Sequence, residues 1–214
     1  MNKLFFVTAT GTDVGKTFMV EKICRKLIKD GKKCKAIKPI ISGFDINDLK
    51  SDSAKILKAL GKEINLNNIQ EISPWRFKEP LSPNIAANLE KKPINFSSLI
   101  KFCKKQIELA KKKNEYLFIE GAGGVMTPIS NNKTFLDLIE KLGIPVILVT
   151  SDYLGTISHT LTAIKALEEK NIKIDQIIFN QRDESKTNQE IIKTLKKFTK
   201  NKITPLADFL TLLT

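Results

Sequence analysis

Residues 4–17 have the sequence LFFVTATGTDVGKT, and this stretch decides the fold. Its first four residues form an apolar run that is typical of a short β-strand. A glycine-containing loop follows, and residues 20–28 then carry apolar side chains at the spacing of an α-helix. A strand joined to a helix by such a loop predicts an anion site, because backbone N–H groups and the N-terminus of the helix attract a phosphate.

The loop ends in Gly15-Lys16-Thr17, which adds side-chain chemistry to this backbone site. Lys16 can reach the terminal phosphate oxygens of a nucleotide, and the hydroxyl of Thr17 can bind Mg²⁺. The strict spacing GxxxxGK[ST] requires glycine at position 10, where this chain has Thr10, so the strict motif fails. The order of strand, loop and helix still favours a phosphate-binding loop over a chance Gly-Lys-Thr at a helix start.

Segments typical of strands and helices alternate along the rest of the chain. The later predicted strands cover residues 34–38, 116–119, 144–149 and 174–179. Apolar stripes between them predict helices, including one over residues 96–110 and one over 135–142. The alternation predicts an α/β fold in one domain, residues 1–214, with an open, mostly parallel sheet and helices on both faces. Ligands bind such sheets beyond the carboxyl ends of the strands.

Polar residues follow the predicted strands at that edge of the sheet. Lys38 and Ser42 come at the end of the second strand, and Asp52 lies near the start of a helix. Glu120 ends the third strand, directly before a glycine-rich run. A carboxylate at the end of a strand can bind Mg²⁺ beside a phosphate-binding loop. Lys38 could instead be an ordinary lysine at the rim, and Asp52 could be only a charge at a helix start.

Composition excludes several classes of protein. The chain has 214 residues and a formal net charge of +13, but only three of its 36 basic residues are arginine. Sequence-specific readers of nucleic acid rely on the arginine fork, so we interpret the lysines as solvated surface and expect no nucleic-acid partner. No apolar run is long enough for a membrane helix or a signal peptide, so we expect a cytoplasmic protein without a membrane partner. Three scattered cysteines argue against a disulfide framework or a zinc site.

Taken together, the motifs resemble the dethiobiotin synthetase family. The resemblance rests on short stretches that stand in the order and approximate spacing of that family, between residue 4 and about residue 180. They are Thr12-Asp13-Val14-Gly15-Lys16-Thr17, Lys38-Pro39 with Ser42-Gly43, Ser51-Asp52, Phe77-Lys78-Glu79-Pro80 with Ser82-Pro83, Glu120-Gly121-Ala122-Gly123-Gly124, and Leu154-Gly155-Thr156-Ile157. Each stretch alone is a weak signal, but the ordered set is specific.

The resemblance implies a P-loop NTPase-like fold and a cyclising, ATP-dependent carboxylation in biotin synthesis. A homodimer would use 7,8-diaminononanoate (7,8-diaminopelargonate), CO₂ or bicarbonate, ATP and Mg²⁺ to make dethiobiotin, ADP and phosphate. An amine of the substrate captures CO₂ as a carbamate, which attacks the γ-phosphate to give a carbamic–phosphoric anhydride. The second amine then closes the ring and releases phosphate.

The resemblance also implies a role for each matching residue. The catalytic residues would be Thr12, Lys16 and Lys38. The nucleotide would contact Asp13, Val14, Gly15, Lys16, Thr17, Phe18, Asp52, Glu120, Gly121, Ala122, Gly123, Asn180, Gln181, Pro205, Leu206 and Ala207. Mg²⁺ would be held by Thr17, Asp52 and Glu120. The diamine and its carbamate would contact Thr12, Asp13 and Ser42, and the tail carboxylate would be received by a helix start on the second subunit, Leu154, Gly155, Thr156, Ile157 and Ser158.

The chain departs from the family at one position before the phosphate-binding loop and at one position after Asn180. Ala9 stands where the family often has the first loop glycine, and Gln181 follows Asn180 where an acidic residue is common. His159, the single histidine, is interpreted as structural, since this chemistry needs no histidine.

Two other functions remain open at this point. A ParA/MinD-like nucleotide switch would use the same loop, although such proteins usually carry another lysine early in it and none lies between Thr8 and Gly15. A relative of the cobyrinate amidases would normally bring a glutaminase domain, for which 214 residues leave no room.

Overall fold

The computed structural model describes residues 3–181 and 187–212. Within these residues, six strands form the main sheet: β1 (Leu4–Ala9), β2 (Cys34–Ile37), β5 (Tyr116–Glu120), β8 (Val146–Ser151), β9 (Ile174–Asn180) and β10 (Ile203–Pro205). Their order across the sheet is β10-β9-β8-β1-β5-β2, and every neighbouring pair is parallel. The predicted fold class is therefore confirmed.

Helices connect these strands. They are α1 (Lys16–Lys29), α2 (Asp52–Ala59), α3 (Leu66–Ile72), α4 (Pro83–Leu89), α5 (Phe96–Lys113), α6 (Phe135–Leu142), α7 (Thr156–Glu169), α8 (Thr187–Phe198) and α9 (Leu206–Leu212). All six residues of β8 are buried, as are the last five of β1. Because successive side chains of a strand point to opposite faces, this burial means that the centre of the sheet is covered on both sides.

Two small strand pairs lie outside the main sheet, and the sequence analysis did not predict them. The parallel pair is β3 (Ile40–Ile41) with β4 (Trp75–Arg76), and the antiparallel pair is β6 (Pro128–Ser130) with β7 (Lys133–Thr134). Strands of two or three residues carry too little alternation of apolar and polar side chains to be recognised from sequence.

The position of β1 in the sheet determines where the site forms. β1 pairs with β5 on one side, with Val7 opposite Glu120, and with β8 on the other, with Ala9 opposite Val149. The carboxyl ends of all three strands therefore meet at one edge. β8 begins at Val146, two residues later than predicted, because Pro145 has no N–H to donate to a neighbouring strand.

The helix after β2 begins with a polar cap. The Ser51 hydroxyl accepts a hydrogen bond from the Ala54 N–H at 3.4 Å. The cap fixes where α2 begins, and Asp52 follows as its first residue. The carboxylate of Asp52 is thereby held at the same edge of the sheet as the end of β2.

In the described part of the chain, no helix combines the length and the apolar character needed to cross a membrane.

Burial in the central strands predicts a large difference between two Leu→Ala substitutions. Leu148 in β8 is fully buried, whereas Leu49 is 57% exposed. Leu148→Ala should lower the free energy of unfolding by about 2–5 kcal/mol, because it removes buried methyl groups and leaves a cavity. Leu49→Ala makes the same chemical change and should cost less than about 0.5 kcal/mol. Urea denaturation of both variants measures the difference, and equal losses would contradict this description of the core.

Candidate active site

The phosphate-binding loop joins β1 to α1 and depends on two left-handed residues. In the part of the chain that the structure describes, the loop residues with positive φ are Asp13 (φ 56°) and Gly15 (φ 98°). Thr10 is not among them. The glycine that the strict motif requires at position 10 is therefore not needed for the backbone conformation of this loop.

Gly15 is required for a second reason, which is its contact with the end of β9. A Cβ at position 15 would lie 2.0 Å from Nδ2 of Asn180. That Nδ2 donates a hydrogen bond to the Val14 carbonyl at 3.1 Å. Asn180, predicted from sequence to contact the nucleobase, therefore also holds the end of the phosphate-binding loop against β9.

Lys16 is the first residue of α1, and its side chain is buried beneath the loop. Its Nζ donates a hydrogen bond to the Gly11 carbonyl at 2.8 Å. Burial, together with the nearby charge of Lys38, lowers the pKa of Lys16 from 10.5 to about 8. An ammonium group held away from water and beside a second cation is an attractive site for an anion.

Lys38 comes directly after β2, and its ammonium group lies between two carboxylates. Nζ is 2.8 Å from Oε1 of Glu120 and also donates to Oδ2 of Asp52. Burial alone would lower the pKa of Lys38, but the two carboxylates outweigh this effect and raise the pKa above its usual value. Burial would likewise raise the pKa of Asp52, and the charge of Lys38 lowers it instead. The three groups form one charged cluster.

Thr17 connects this cluster to the phosphate-binding loop. Its hydroxyl donates to Oε1 of Glu120 at 2.6 Å and lies 3.5 Å from Nζ of Lys38. The other carboxylate oxygen of Glu120, Oε2, is buried and has no hydrogen-bond partner among the residues described. A buried carboxylate oxygen without a partner costs free energy, unless a ligand or a cation supplies one.

These oxygen atoms fit Mg²⁺. Within residues 3–181 and 187–212, no three or more acidic, cysteine or histidine side chains are arranged so that they could hold a metal ion. Mg²⁺ in nucleotide-binding proteins needs no such cluster, since it is bound through one or two carboxylates together with waters and phosphate oxygens. Glu120, Asp52 and the Thr17 hydroxyl offer this kind of hard oxygen donor.

A cavity of about 680 Å³ opens beside the charged cluster. It brings together eleven of the residues that the sequence analysis selected: Thr12, Asp13, Gly15, Lys16, Thr17, Phe18, Lys38, Ser42, Asp52, Ala122 and Gly123. Val14 and Glu120 are buried and do not line it. Gly121 does not line it either, because a Cβ at position 121 would lie 3.2 Å from the rings of both Phe6 and Phe135.

The remaining residues that the resemblance assigns to the nucleotide lie at the ends of β9 and β10, outside this cavity. They are Asn180, Gln181, Pro205, Leu206 and Ala207. Pro205 pairs with Phe179, so the two strand ends are neighbours. Asn180 and Leu206 are buried there, whereas Gln181 and Ala207 are exposed. These residues form a second group beside the phosphate-binding loop, connected to it by the side chain of Asn180.

The residues predicted for the tail carboxylate lie at the start of α7 and do not line the cavity. Leu154 and Ser158 are exposed, Ile157 is half-buried, and Gly155 has a left-handed φ of 91°. The hydroxyl of Thr156 is buried and shares a hydrogen bond of 2.9 Å with Thr150. Within the single chain, this segment therefore lies outside the cavity.

Sequence reasoning missed Thr127, a residue of the loop between β5 and β6 that lines the cavity. Its hydroxyl accepts a hydrogen bond from the Gly124 N–H at 2.8 Å, and a Cβ on Gly123 would come within 2.3 Å of the same oxygen. The threonine thus fixes the backbone of the glycine-rich run after Glu120. No local pattern identifies such a residue, because its partner lies in an irregular loop.

Known protein families and solved structures resemble this architecture. A family model described as an AAA domain, AAA_26, covers residues 3–207. Among solved structures, the MinD cell division protein of Aquifex aeolicus has a TM-score of 0.56 and 17% identity, and covers 98% of this chain and 86% of that one. A ParA family ATPase of Chlorobium tepidum has a TM-score of 0.55 and 16% identity, over 96% of this chain and 84% of the other. At these identities the likeness concerns the fold alone.

Curated relatives are much more similar in sequence. An ATP-dependent dethiobiotin synthetase BioD of Caulobacter sp. is 41% identical over 82% of this chain and 75% of the relative. The protein of the same description from Thermodesulfovibrio yellowstonii is 34% identical over 89% of this chain and 83% of the relative. The chain therefore belongs to the ATP-dependent dethiobiotin synthetase family.

Proposed function

We propose that this member of the family carboxylates 7,8-diaminononanoate and closes the ureido ring with ATP, by means of the residues gathered at one edge of the sheet. The observation that carries the proposal is the position of the Lys38 ammonium, 2.8 Å from Glu120 and beside the cavity that Lys16 and Thr17 also line. Two cationic side chains and a set of oxygen donors in one cavity suit a reaction between two anions, a carbamate and a triphosphate.

Lys16 and Lys38 would have different tasks in this reaction. Lys16 lies at the helix end of the phosphate-binding loop, where it would exchange the Gly11 carbonyl for oxygens of the β- and γ-phosphates. Lys38 would balance the charge of the carbamate and of the transferring phosphoryl group. Because both reactants are anionic, positioning and charge neutralisation are the main contributions that the protein can make.

Thr17, Asp52 and Glu120 would hold Mg²⁺, and the unpartnered Oε2 of Glu120 supports this assignment. When bound, the ion would reduce the negative charge of the phosphate oxygens. Lys38 now neutralises the same two carboxylates. Lys38 lines the cavity together with Thr17 and Asp52, so its ammonium would be available to an anionic ligand bound there.

Thr12, Asp13 and Ser42 would contact the diamine and its carbamate. All three line the cavity, and a carboxylate beside a substrate ammonium gives a favourable charge pair. The tail carboxylate would bind at the start of α7 in a second copy of the chain, since residues 154–158 do not line the cavity of their own copy. This arrangement requires a homodimer.

The experiment that tests the proposed function detects the product directly. The protein is incubated with diaminononanoate, bicarbonate, MgCl₂ and ATP, and dethiobiotin is identified by mass. Separate omission of diamine, bicarbonate and Mg²⁺ should each abolish product formation. Nucleotide hydrolysis that continues unchanged without the diamine would contradict the proposal and would favour a nucleotide switch of the MinD or ParA kind.

The first mutational prediction concerns Lys16. Lys16→Ala should reduce product formation at least about a hundredfold, because triphosphate oxygens lose their cationic partner in the loop. Product formation under saturating diamine and bicarbonate measures the effect. Lys104→Ala removes an exposed lysine from α5 and is the matched control, which should retain normal activity. Similar activity in both variants would contradict the role of Lys16.

The second mutational prediction concerns Lys38. Lys38→Ala should retain much of the binding of ADP, measured by calorimetry, while product formation falls at least about a hundredfold. The variant also leaves Glu120 buried without its cation, which should lower stability, so both measurements are made well below its thermal midpoint. Normal turnover in Lys38→Ala would show that the end of β2 does not take part in the reaction.

A further inference from the structure

Thr10 occupies the position where the strict phosphate-loop motif has glycine, and its side chain makes a contact that glycine could not make. The hydroxyl oxygen of Thr10 accepts a hydrogen bond from the phenol of Tyr153 at 2.8 Å. These residues are 143 positions apart in the chain. The backbone N–H of Thr10 also donates to the Val149 carbonyl at 3.0 Å, so the start of the loop is attached to β8 and to the segment that follows it.

Tyr153 is itself held in place from the other side. Nδ1 of His159 lies 3.2 Å from the Tyr153 oxygen, and the centroids of the two rings are 5.7 Å apart. The phenol of Tyr153 has one proton, and that proton is directed at Thr10. In the hydrogen bond between Tyr153 and His159, the Tyr153 oxygen must therefore accept, and a protonated Nδ1 of His159 donates. The three side chains form an oriented chain of hydrogen bonds, from His159 on α7 through Tyr153 to Thr10.

We propose that Tyr153 is a positioning residue for the phosphate-binding loop, which it holds through Thr10. The residue after Thr10 is Gly11, whose carbonyl accepts the hydrogen bond from Lys16, so a displacement of Thr10 is transmitted to the lysine that faces the phosphates. The contact also joins this loop to the segment just before α7, the proposed carboxylate site. The inference rests on the proposed function only in placing the nucleotide at this loop.

Tyr153→Phe removes the hydroxyl and leaves the ring, and it should weaken ADP binding about threefold to tenfold, as expected for one lost hydrogen bond. With the full reaction mixture, KM for ATP should rise by a similar factor while kcat stays within about twofold, because the phenol does not touch reacting atoms. Calorimetry with ADP and steady-state kinetics measure these effects. Unchanged ADP affinity in Tyr153→Phe would overturn the proposal.

Tyr116→Phe is the matched control, since Tyr116 is the other tyrosine of the chain and lies at the opposite end of β5 from Glu120. It should bind ADP as the unmodified protein does. If both variants weaken ADP binding equally, the effect is a general loss of structure and the proposal fails. The thermal midpoints of Tyr153→Phe and Tyr116→Phe are measured as well, to detect a general loss of structure.

Substitutions of Thr10 provide a second test of the proposal. Thr10→Val removes the acceptor with little change in shape, and Thr10→Ser keeps it, so the valine variant should weaken ADP binding and the serine variant should restore it. The double variant Tyr153→Phe/Thr10→Val should be no weaker than either single variant, because both remove the same bond. Additive losses would overturn the proposal.

If the protein binds ADP but makes no dethiobiotin, the proposed function fails while the ADP measurements still decide the role of Tyr153.

Discussion

The ammonium of Lys38 lies between the carboxylates of Glu120 and Asp52, and most of the site depends on this interaction. Glu120 has no exposed side-chain surface, so its charge is tolerated only because a cation and a hydroxyl donor reach it. Lys38 directly follows β2, Thr17 lies on α1 and Asp52 lies on α2. The main sheet must bring these elements together. Removing one partner would leave a buried charge uncompensated, so the cluster should respond strongly to a new cation or anion.

The phosphate-binding loop is constrained by a different kind of interaction. Its shape depends on left-handed backbone at Asp13 and Gly15 and on side chains that approach from distant parts of the chain. Asn180 holds the end of the loop through the Val14 carbonyl, and Tyr153 contacts its beginning. A loop held at both ends can present its N–H groups to a phosphate without a large loss of conformational entropy on binding.

Local patterns predicted much of this architecture. The apolar run of β1, the glycine loop and the helical spacing of α1 are features of adjacent or nearby residues. The same patterns placed Lys38 and Glu120 after strands. They did not identify Gly121 as a residue packed between Phe6 and Phe135, because that packing depends on which strands become neighbours.

The sequence by itself determined a parallel α/β sheet with an anion-binding loop, since periodicity and glycine placement act over a few residues. Only the tertiary structure decided which polar groups meet. Lys38 and Glu120 are 82 positions apart, and Asn180 and Val14 are 166 apart. Their contacts exist because β1 lies between β5 and β8, an order set by the burial of whole sheet faces. That collective property is not contained in any single motif.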